Sequence, residues 1–544
     1  MTDMTAVTRT TEWMRTADGI RLDADVYRPP GDGPWPVLLM RQPYGRAIAS
    51  TVVYAHPRWY AARGFMVVIQ DVRGRGTSEG EFRLLENERA DGAETVAWAA
   101  GLPGSNGAVG MYGFSYQGMT QLLAAADRPP ALRAIAPAMA AWDVHADFAT
   151  QGGAFRLQAS YSWGMQLAME TARRAGDADA HAAMASAMAA GFGTAVPCRP
   201  PVAELLGQHG HYLDWLTQPA GAEYWRRVSP ATGADTIDVP ALHIGGWYDA
   251  LLGGTLAGHA ALSAAGRARQ VLVVGPWAHI PWSRHVGALD FGPDAANEID
   301  ALQLLWFGHW LRGAPASLNR MPDVSLFEMG GEWHNGREWP DTMVQAWHPT
   351  SSGRAGMTDT DGMLGPDADE PGADMIVFDP WRPTPSLGGH AGYPAGPFDR
   401  TQIDARSDVL VFDSPPFPKG VRLAGPVRAT LHATADGDSF DLHAILSEVT
   451  ETGVFEITSG YCRAGSGALV EIDMRATCIR VGMGNSLRLS VAAGSFPAFP
   501  VNSGCGLPPG EERLIDQRIV TIMLRHGVGS GTALFLPVAE AVMV

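Results

Sequence analysis

The first third of the chain contains two kinds of strand pattern, one alternating and one continuously apolar. Residues 20–28 (IRLDADVYR) alternate apolar and polar side chains, as half-exposed strands do. Residues 37–40 and 65–69 are short, continuous apolar runs, which are typical of strands covered on both faces. Residues 91–100 follow a helical pattern. Strands that alternate with helices predict an α/β domain built on a parallel sheet.

The strand signals stop between residues 146 and 236. Within this segment, residues 157–190 are rich in Ala and Met at helical spacing and contain no strand candidate. We interpret the segment as a helical cap inserted into the sheet domain, with the Met stripe serving mainly in packing. Strand signals return at residues 239–244 and 270–274, and a helix is predicted over 299–311, so the sheet domain resumes after the cap.

Beyond about residue 349 the pattern changes again. Gly, Pro and Asp become frequent, helical patterns disappear, and short alternating strands are predicted at residues 408–412, 427–431, 441–446 and 487–491. Such strands between turn signals predict a β-sandwich or jelly roll. The predicted domains are thus an α/β domain (residues 1–145 and 237–348), a helical cap (146–236) and an all-β domain (349–544).

Length and charge narrow the classes of function. At 544 residues the chain exceeds one ordinary domain, in agreement with this division. The net charge of -17 and the lack of any basic run argue against nucleic acid and anionic membranes as partners. No signal peptide and no membrane-spanning apolar run are recognisable. We therefore expect a soluble, cytoplasmic protein, and the sequence leaves the oligomeric state, including a homo-oligomer, open.

The four cysteines have no CxxC or zinc-like spacing. A disulfide framework or thiol chemistry is therefore not expected, although a pair among Cys462, Cys478 and Cys505 stays open.

One serine lies in the context of a catalytic nucleophile. Serine needs a neighbouring base and a sharp strand-to-helix turn that presents its hydroxyl, with small residues beside it. The run VGMYGFSYQGMTQLLAAA supplies a strand, Gly113, Ser115, Gly118 and a helix. The expression G-x-S-x-G instead matches Ser78, but that serine lies in a polar loop with no apolar helix after it. The context favours Ser115.

The acid and the base follow in the chain order of an α/β-hydrolase, Ser, Asp, His. Asp249 comes directly after the predicted strand 239–244 in GGWYD, and His279 comes after strand 270–274 in GPWAH. Catalytic groups gather at the carboxyl ends of strands in open α/β sheets. The sequence therefore predicts a Ser115–His279–Asp249 triad, and no cofactor is needed for its chemistry.

The chain also resembles the cocaine esterase-like (CocE/NonD) serine hydrolase family, whose relatives include X-Pro dipeptidyl-peptidases, α-amino acid ester hydrolases and some β-lactam acylases. The resemblance covers nearly the whole chain and lies in RQPYG, QDVRGRGTSEGEF, GFSYQG, GGWYDALLGG, GPWAH, FGHWLRG and GNSLRLSVAAGSFPAFPVNSG. It implies an α/β-hydrolase domain with an inserted helical cap, a C-terminal jelly roll, and the same triad.

The resemblance also implies an oxyanion hole formed by the amide of Tyr116 and the phenol of Tyr44. The expected activity is hydrolysis of small esters, with amides as a further class, through an acyl-enzyme on Ser115. Trp163, Trp247 and Leu251 are candidate walls of the acyl pocket. Because α-amino acid ester hydrolases hold a substrate ammonium with acids after the triad aspartate, and residues 250–253 here are Ala-Leu-Leu-Gly, we expect apolar or aromatic acyl groups. The alternative is α-amino acid ester hydrolase, X-Pro dipeptidyl-peptidase or β-lactam acylase activity, in which Asp147 or another acid would hold the amine.

Two other classes of function fit the sequence less well. A metal-dependent hydrolase would use Asp143, His145 and Asp147, with His285, but the motif lacks a recognised zinc pattern, and a polar loop explains it better. A carbohydrate-binding protein is suggested by the jelly roll, but a complete triad argues against an inert scaffold. We therefore expect no metal site.

Overall fold

The first third of the chain forms a sheet whose inner strands are buried on both faces. The computed structural model describes residues 4–47, 51–192, 198–313, 318, 321–368 and 370–539. The elements in chain order are β1 (Thr8–Arg15), β2 (Arg21–Arg28), β3 (Trp35–Gln42), α1 (Pro57–Ala61), β4 (Met66–Asp71), α2 (Glu88–Ala100), β5 (Ser105–Phe114), α3 (Tyr116–Ala126) and β6 (Leu132–Ala138). All six residues of β4 are buried, as its continuous apolar run predicts.

After β6 the chain leaves the sheet and forms the cap. The cap contains a π-helical turn (Val144–Ala149), β7 (Thr150–Gln151), β8 (Ala154–Phe155), α4 (Leu157–Ala175), α5 (Ala178–Ala190), α6 (Ala203–His209), α7 (Tyr212–Thr217) and α8 (Glu223–Val228). The helices were predicted, but the β7–β8 hairpin was not, because two-residue strands are too short to show alternation. Gly176 directly follows the last residue of α4, and its left-handed conformation (φ 74°) ends the helix.

The chain then returns to the sheet. The elements are β9 (Ala241–Tyr248), α9 (Leu252–Ala265), β10 (Gln270–Ala278), β11 (His285–Val286), β12 (Leu289–Asp290), α10 (Ile299–Arg312), β13 (Val324–Phe327) and β14 (Trp333–Gly336). The completed sheet has the order β1-β2-β4-β3-β5-β6-β9-β10-β13-β14. Every pairing from β4 to β13 is parallel, so the carboxyl ends of β5, β9 and β10 share one edge.

The last part of the chain is nearly all β. Its elements are β15 (Thr342–Thr350), β16 (Met363–Gly365), β17 (Gly372–Phe378), α11 (Thr401–Asp404), β18 (Val409–Asp413), β19 (Val421–Thr450), β20 (Gly453–Val481), β21 (Ser486–Ala492), β22 (Val520–His526) and β23 (Ala533–Ala539). The path β19-β21-β18-β16-β15-β23 returns to β19 and closes a ring. The predicted all-β domain is therefore present.

Two features of this domain differ from the sequence prediction. The predicted strands 427–431 and 441–446 are parts of one long strand, β19. Strand β15 begins at Thr342 and pairs with β23, so it crosses the predicted boundary at residue 349 and lies in the C-terminal sheet.

The α/β domain and the C-terminal domain share an apolar core. Trp247 and Leu252 from the region of β9, and Val274 from β10, pack in one cluster with Leu431 and Leu524 of the C-terminal sheet. The domains are thus joined directly behind the strand ends that carry Asp249 and His279.

No helix in the described ranges is long and apolar enough to cross a membrane.

Candidate active site

Ser115 occupies a strained turn between β5 and α3. Its backbone has φ 60° and ψ -125°, and its amide donates a hydrogen bond to the Ala138 carbonyl at 2.9 Å. A residue other than glycine in this region costs about 1–3 kcal/mol, and such strain concentrates at functional sites. The side chain is partly exposed, although the residues on both sides are buried. The turn therefore presents the Ser115 hydroxyl at the carboxyl edge of the sheet.

Two glycines allow this turn. A Cβ atom on Gly118 would lie 2.7 Å from the carbonyl oxygen of Ala138, so only glycine lets α3 pack this closely on β6. Gly113 has φ +139°, and a Cβ atom there would lie 2.5 Å from Cβ of Gln117. The spacing of glycines around Ser115 is therefore required by packing.

Ser78, the serine that matches G-x-S-x-G, is buried and hydrogen-bonded within the fold. It is fully buried, and its hydroxyl donates to the Asp71 carbonyl at 2.7 Å. The same oxygen accepts a hydrogen bond from the Asp23 amide at 2.9 Å. Both bonds tie the loop to the sheet and leave Ser78 inaccessible to substrate.

Asp249 and His279 form a hydrogen-bonded pair at the same sheet edge. Asp249 follows β9 and is fully buried, whereas His279 follows β10 with 31% of its side chain exposed. The distance from Nδ1 of His279 to Oδ1 of Asp249 is 2.7 Å. The imidazole also lies 5.5 Å from the ring of Phe114, the residue before Ser115. A carboxylate on Nδ1 favours the tautomer whose Nε2 can accept a proton.

Tyr44 and the first residue of α3, which directly follows Ser115, carry the hydrogen-bond donors expected for the oxyanion hole. Nε1 of Trp163 donates to the Tyr44 phenol oxygen at 3.0 Å, which leaves the proton of that phenol available for another acceptor. Burial raises the pKa of Tyr44 to about 12, and the bond from Trp163 and the charge of Arg75 offset part of this rise. Tyr44 therefore stays protonated at neutral pH.

The amide of Tyr116 is the first of helix α3, where N–H groups lack acceptors within the helix. The Tyr116 side chain points elsewhere, because its hydroxyl donates to buried Glu88 at 2.8 Å. The side chain of Tyr116 thus bonds to Glu88, whereas its backbone amide has no acceptor within the helix.

An aromatic group from the cap lines the region next to Tyr44. Trp163 stacks on Phe148 with ring centroids 4.9 Å apart, and Trp215 and His211 pack on Trp163. Burial is the main cause that lowers the pKa of His211 to about 3, so this imidazole stays neutral. Leu251 belongs to the same apolar cluster. Trp163 and Leu251 stay predictions as walls of the acyl pocket. No motif marks Phe148, His211 and Trp215, which are scattered over the cap and were missed by sequence reasoning.

Trp247, the third predicted pocket residue, lies elsewhere. It is buried in the core between the domains, its Nε1 donates to the Phe327 carbonyl at 2.7 Å, and its ring packs against Trp339. The alternation of strand β9 cannot tell a side chain that faces the neighbouring domain from one that faces the site. The assignment of Trp247 to the pocket is therefore corrected.

The acidic residues of the cap boundary have capping contacts. Oδ1 of Asp143 accepts from the amides of His145 and Ala146, and Oδ2 of Asp147 accepts from the amides of Trp142 and Asp143. His285, the other residue of the metal hypothesis, lies beside Asp290, 3.4 Å from its carboxylate. In the described ranges, no three His, Cys, Asp or Glu side chains are grouped so that they could hold a metal ion.

Comparisons with known proteins identify relatives that span nearly the whole chain. Residues 18–281 match the family described as X-Pro dipeptidyl-peptidase (S15 family), and residues 317–526 match the X-Pro dipeptidyl-peptidase C-terminal non-catalytic domain. The cocaine esterase of Rhodococcus sp. (strain MB1 Bresler) is 31% identical over 96% of this chain and 97% of that protein.

Solved structures show the same fold over the whole chain. An aminopeptidase from a marine sediment Thaumarchaeota archaeon has a TM-score of 0.83 at 22% identity, covering 99% of this chain and 97% of that one. An α-amino acid ester hydrolase has a TM-score of 0.78 at 19% identity, with the same coverage. At these identities the likeness establishes the fold.

Proposed function

This chain belongs to the cocaine esterase-like family of serine hydrolases, and from this membership we propose that it cleaves carboxylic esters through an acyl-enzyme on Ser115. Activity on esters follows from the family; the roles of individual residues are our proposal. The observation that supports them most is the 2.7 Å bond between His279 and buried Asp249, at the sheet edge where the strained turn presents Ser115.

In the first half of the reaction, Nε2 of His279 takes the proton of Ser115 as its oxygen attacks the ester carbonyl carbon. The Asp249 carboxylate holds the imidazole in the required tautomer and stabilises its positive charge. The negative charge that develops on the carbonyl oxygen is stabilised by the Tyr44 phenol and the Tyr116 amide. His279 then gives its proton to the departing alcohol.

In the second half, water replaces the alcohol. His279 takes a proton from this water as the water oxygen attacks the acyl carbon. The second oxyanion that forms is stabilised by the same two donors. Collapse of this intermediate releases the carboxylic acid and returns the proton to Ser115. Amide substrates would follow the same steps with an amine as leaving group.

The surroundings of Tyr44 favour an apolar or aromatic acyl group. Trp163 and its aromatic neighbours offer an uncharged wall. Arg75 lies near Tyr44, where its guanidinium stacks on the Phe82 ring at 3.7 Å and donates to the Leu167 carbonyl at 3.0 Å. A substrate ammonium beside Tyr44 would be repelled by this cation.

Asp147 is a poor substitute for an ammonium-binding cluster. One of its oxygens already accepts two backbone amides. Its charge is also compensated, because Arg156 and Arg475 both interact with it electrostatically. An ammonium in the acyl group would therefore lack a paired charge, and a buried unpaired charge is costly.

The test compares kcat/KM for a phenylacetyl ester and the matching phenylglycyl ester, which differ by the ammonium alone. We expect about a tenfold or greater preference for the phenylacetyl ester, equivalent to about 1.4 kcal/mol. The same alcohol in both esters controls for the leaving group. A preference for the phenylglycyl ester, or rapid cleavage of X-Pro-p-nitroanilides, would favour the α-amino acid ester hydrolase or dipeptidyl-peptidase alternative.

We further propose small esters or amides, rather than nucleic acid or a membrane, as the partners of this acidic chain. Its four cysteines (Cys198, Cys462, Cys478 and Cys505) are free thiols, which fits the reducing cytoplasm.

A further inference from the structure

Arg475 stands at an irregular position of the C-terminal sheet. Strand β20 pairs with β19 through Asp473↔Arg428 and Ala476↔Pro426, so β20 has one extra residue between these pairs. This is a β-bulge, a feature that redirects side chains and is frequent beside active sites. Arg475 lies within the bulge with φ +71°, in the left-handed region that glycine normally occupies.

The bulge directs the Arg475 side chain out of its own domain and into the α/β domain. Nη1 donates to the Asp249 carbonyl at 3.0 Å, and Nη2 donates to the Ala250 carbonyl at 2.9 Å. The planar guanidinium thus binds two successive carbonyl groups of the loop that carries the triad aspartate.

A second arginine reaches the same loop from the cap. Arg156, at the start of α4, donates from Nη1 to the Ala250 carbonyl at 3.0 Å and to the Asp147 carbonyl at 3.1 Å. It is buried, with 2% of its surface exposed. The Asp249 loop is therefore held from both sides, by the cap and by the C-terminal domain.

The two guanidinium groups also place positive charge near the Asp249 carboxylate. Burial lowers the pKa of Arg156 to about 9 and lowers that of Arg475, while the charge of Asp249 opposes both shifts. Both arginines therefore remain charged at neutral pH.

We propose that Arg475 is a positioning residue for catalysis, through which the C-terminal domain fixes the Asp249 loop so that the carboxylate meets Nδ1 of His279. The proposal rests on the function assigned to Asp249 above. It explains why an arginine, rather than glycine, occupies a strained bulge: its side chain holds a loop that is 226 residues away in sequence. Because a displacement of about 1 Å can cost about 100-fold in rate, the fixed loop matters to kcat.

The experiment is a double-mutant cycle of Arg475→Gly and Asp249→Asn in the full-length protein. Glycine adopts φ +71° readily, so Arg475→Gly removes the guanidinium while relieving the backbone strain. We expect kcat to fall about 10- to 100-fold with KM within about twofold. In the Asp249→Asn background the same substitution should cost less than about threefold, because residues that act as one unit are not additive.

Arg480→Ala is the matched control. Arg480 is in the same strand and pairs with Glu328 of the α/β domain at 2.7 Å, but its contacts do not involve the Asp249 loop. We expect it to leave kcat within about twofold. Arg475→Lys, which keeps the charge and at least one donor, should recover part of the activity lost in Arg475→Gly.

Full kcat in folded Arg475→Gly, or an equal loss in both backgrounds, would overturn the proposal. If Arg475→Gly does not fold, Arg475→Gln enters the same cycle with the same criteria. If the proposed function itself is wrong, the Asp249→Asn single variant will retain wild-type kcat. If Asp249→Asn loses several orders of magnitude of kcat and Arg475→Gly loses none, only the positioning role is wrong.

Discussion

At the scale of single residues, one contact orients the phenol of Tyr44, the proposed oxyanion donor. Its phenol oxygen accepts a hydrogen bond from Trp163, so the phenol proton can bond to another acceptor. Burial keeps the phenol protonated by raising its pKa. A donor fixed in this way needs little reorganisation when the oxyanion forms.

We therefore expect Tyr44→Phe to lower kcat by about 100- to 1000-fold with a smaller change in KM, as the loss of one oxyanion donor does. The measurement is the rate of acylation in single-turnover kinetics with a p-nitrophenyl ester. Tyr393→Phe is the matched control. Because Tyr393 is 85% exposed, we expect this change to leave kcat unaltered. Full kcat for Tyr44→Phe where acylation limits the rate would refute the oxyanion role.

The residues that sequence reasoning could place are those marked by local pattern. Ser115, Asp249 and His279 each follow a strand directly, and the structure has β5, β9 and β10 ending there. Arg475 carries no such mark, because its partner is distant in the chain and its bulge depends on the register of two paired strands. Trp247 was misplaced because its environment is set by the neighbouring domain.

At the scale of elements, the packing of α3 on β6 decides the geometry of the nucleophile turn. The helix approaches the strand so closely that position 118 has no room for a methyl group, with the Ala138 carbonyl as the obstacle. Backbone cannot move away as the end of a flexible side chain can. The helix and the Ser115 turn would have to shift together.

Gly118→Ala should thus destabilise the protein by about 1–3 kcal/mol and displace the Ser115 turn, lowering kcat as well. The matched control is Gly308→Ala in helix α10, where a Cβ atom would meet nothing within 4 Å. That change should be neutral or stabilise by up to about 1 kcal/mol, since alanine is the better helix former. Thermal unfolding and esterase assays measure both effects. Equal stability of the two variants would contradict this packing account.

Strand β19 shows where element prediction reaches its limit. Residues 435–438 (ADGD) have the composition of a turn, and they lie between the two strands that the sequence predicts. In the structure the chain passes through them with a shift of register between Thr434 and Ser439 and continues as one strand. A bulge and a turn use the same residue types, and only the pairing partner distinguishes them.

At the scale of the whole molecule, the C-terminal domain packs directly against the α/β domain that carries the proposed triad. It shares an apolar core with β9 and β10 and also supplies Arg475 to the Asp249 loop. The sequence could predict that a second domain exists, but not which of its residues face the first. Domain contacts of this kind depend on the assembled surfaces.

A chain that ends at residue 341, before β15, should therefore be insoluble or inactive. Removal of the C-terminal sheet would expose apolar side chains such as Trp247 and Val274 to water. The checks are soluble yield and esterase activity of the purified fragment, with full-length Ser115→Ala as the control that stays soluble. A soluble fragment with full activity would show that the C-terminal domain is an independent module.

The account as a whole depends on Ser115 as nucleophile, and covalent labelling tests this most directly. The protein is treated with a fluorophosphonate and the modified peptide is identified by mass spectrometry, in wild type, Ser115→Ala and Ser78→Ala. We expect the label on Ser115 in wild type and Ser78→Ala, and no label and no turnover in Ser115→Ala. Of these two serines, Ser115 is partly exposed in the turn after β5, whereas Ser78 is fully buried. Labelling that persists in folded Ser115→Ala, or that disappears in folded Ser78→Ala alone, would contradict it.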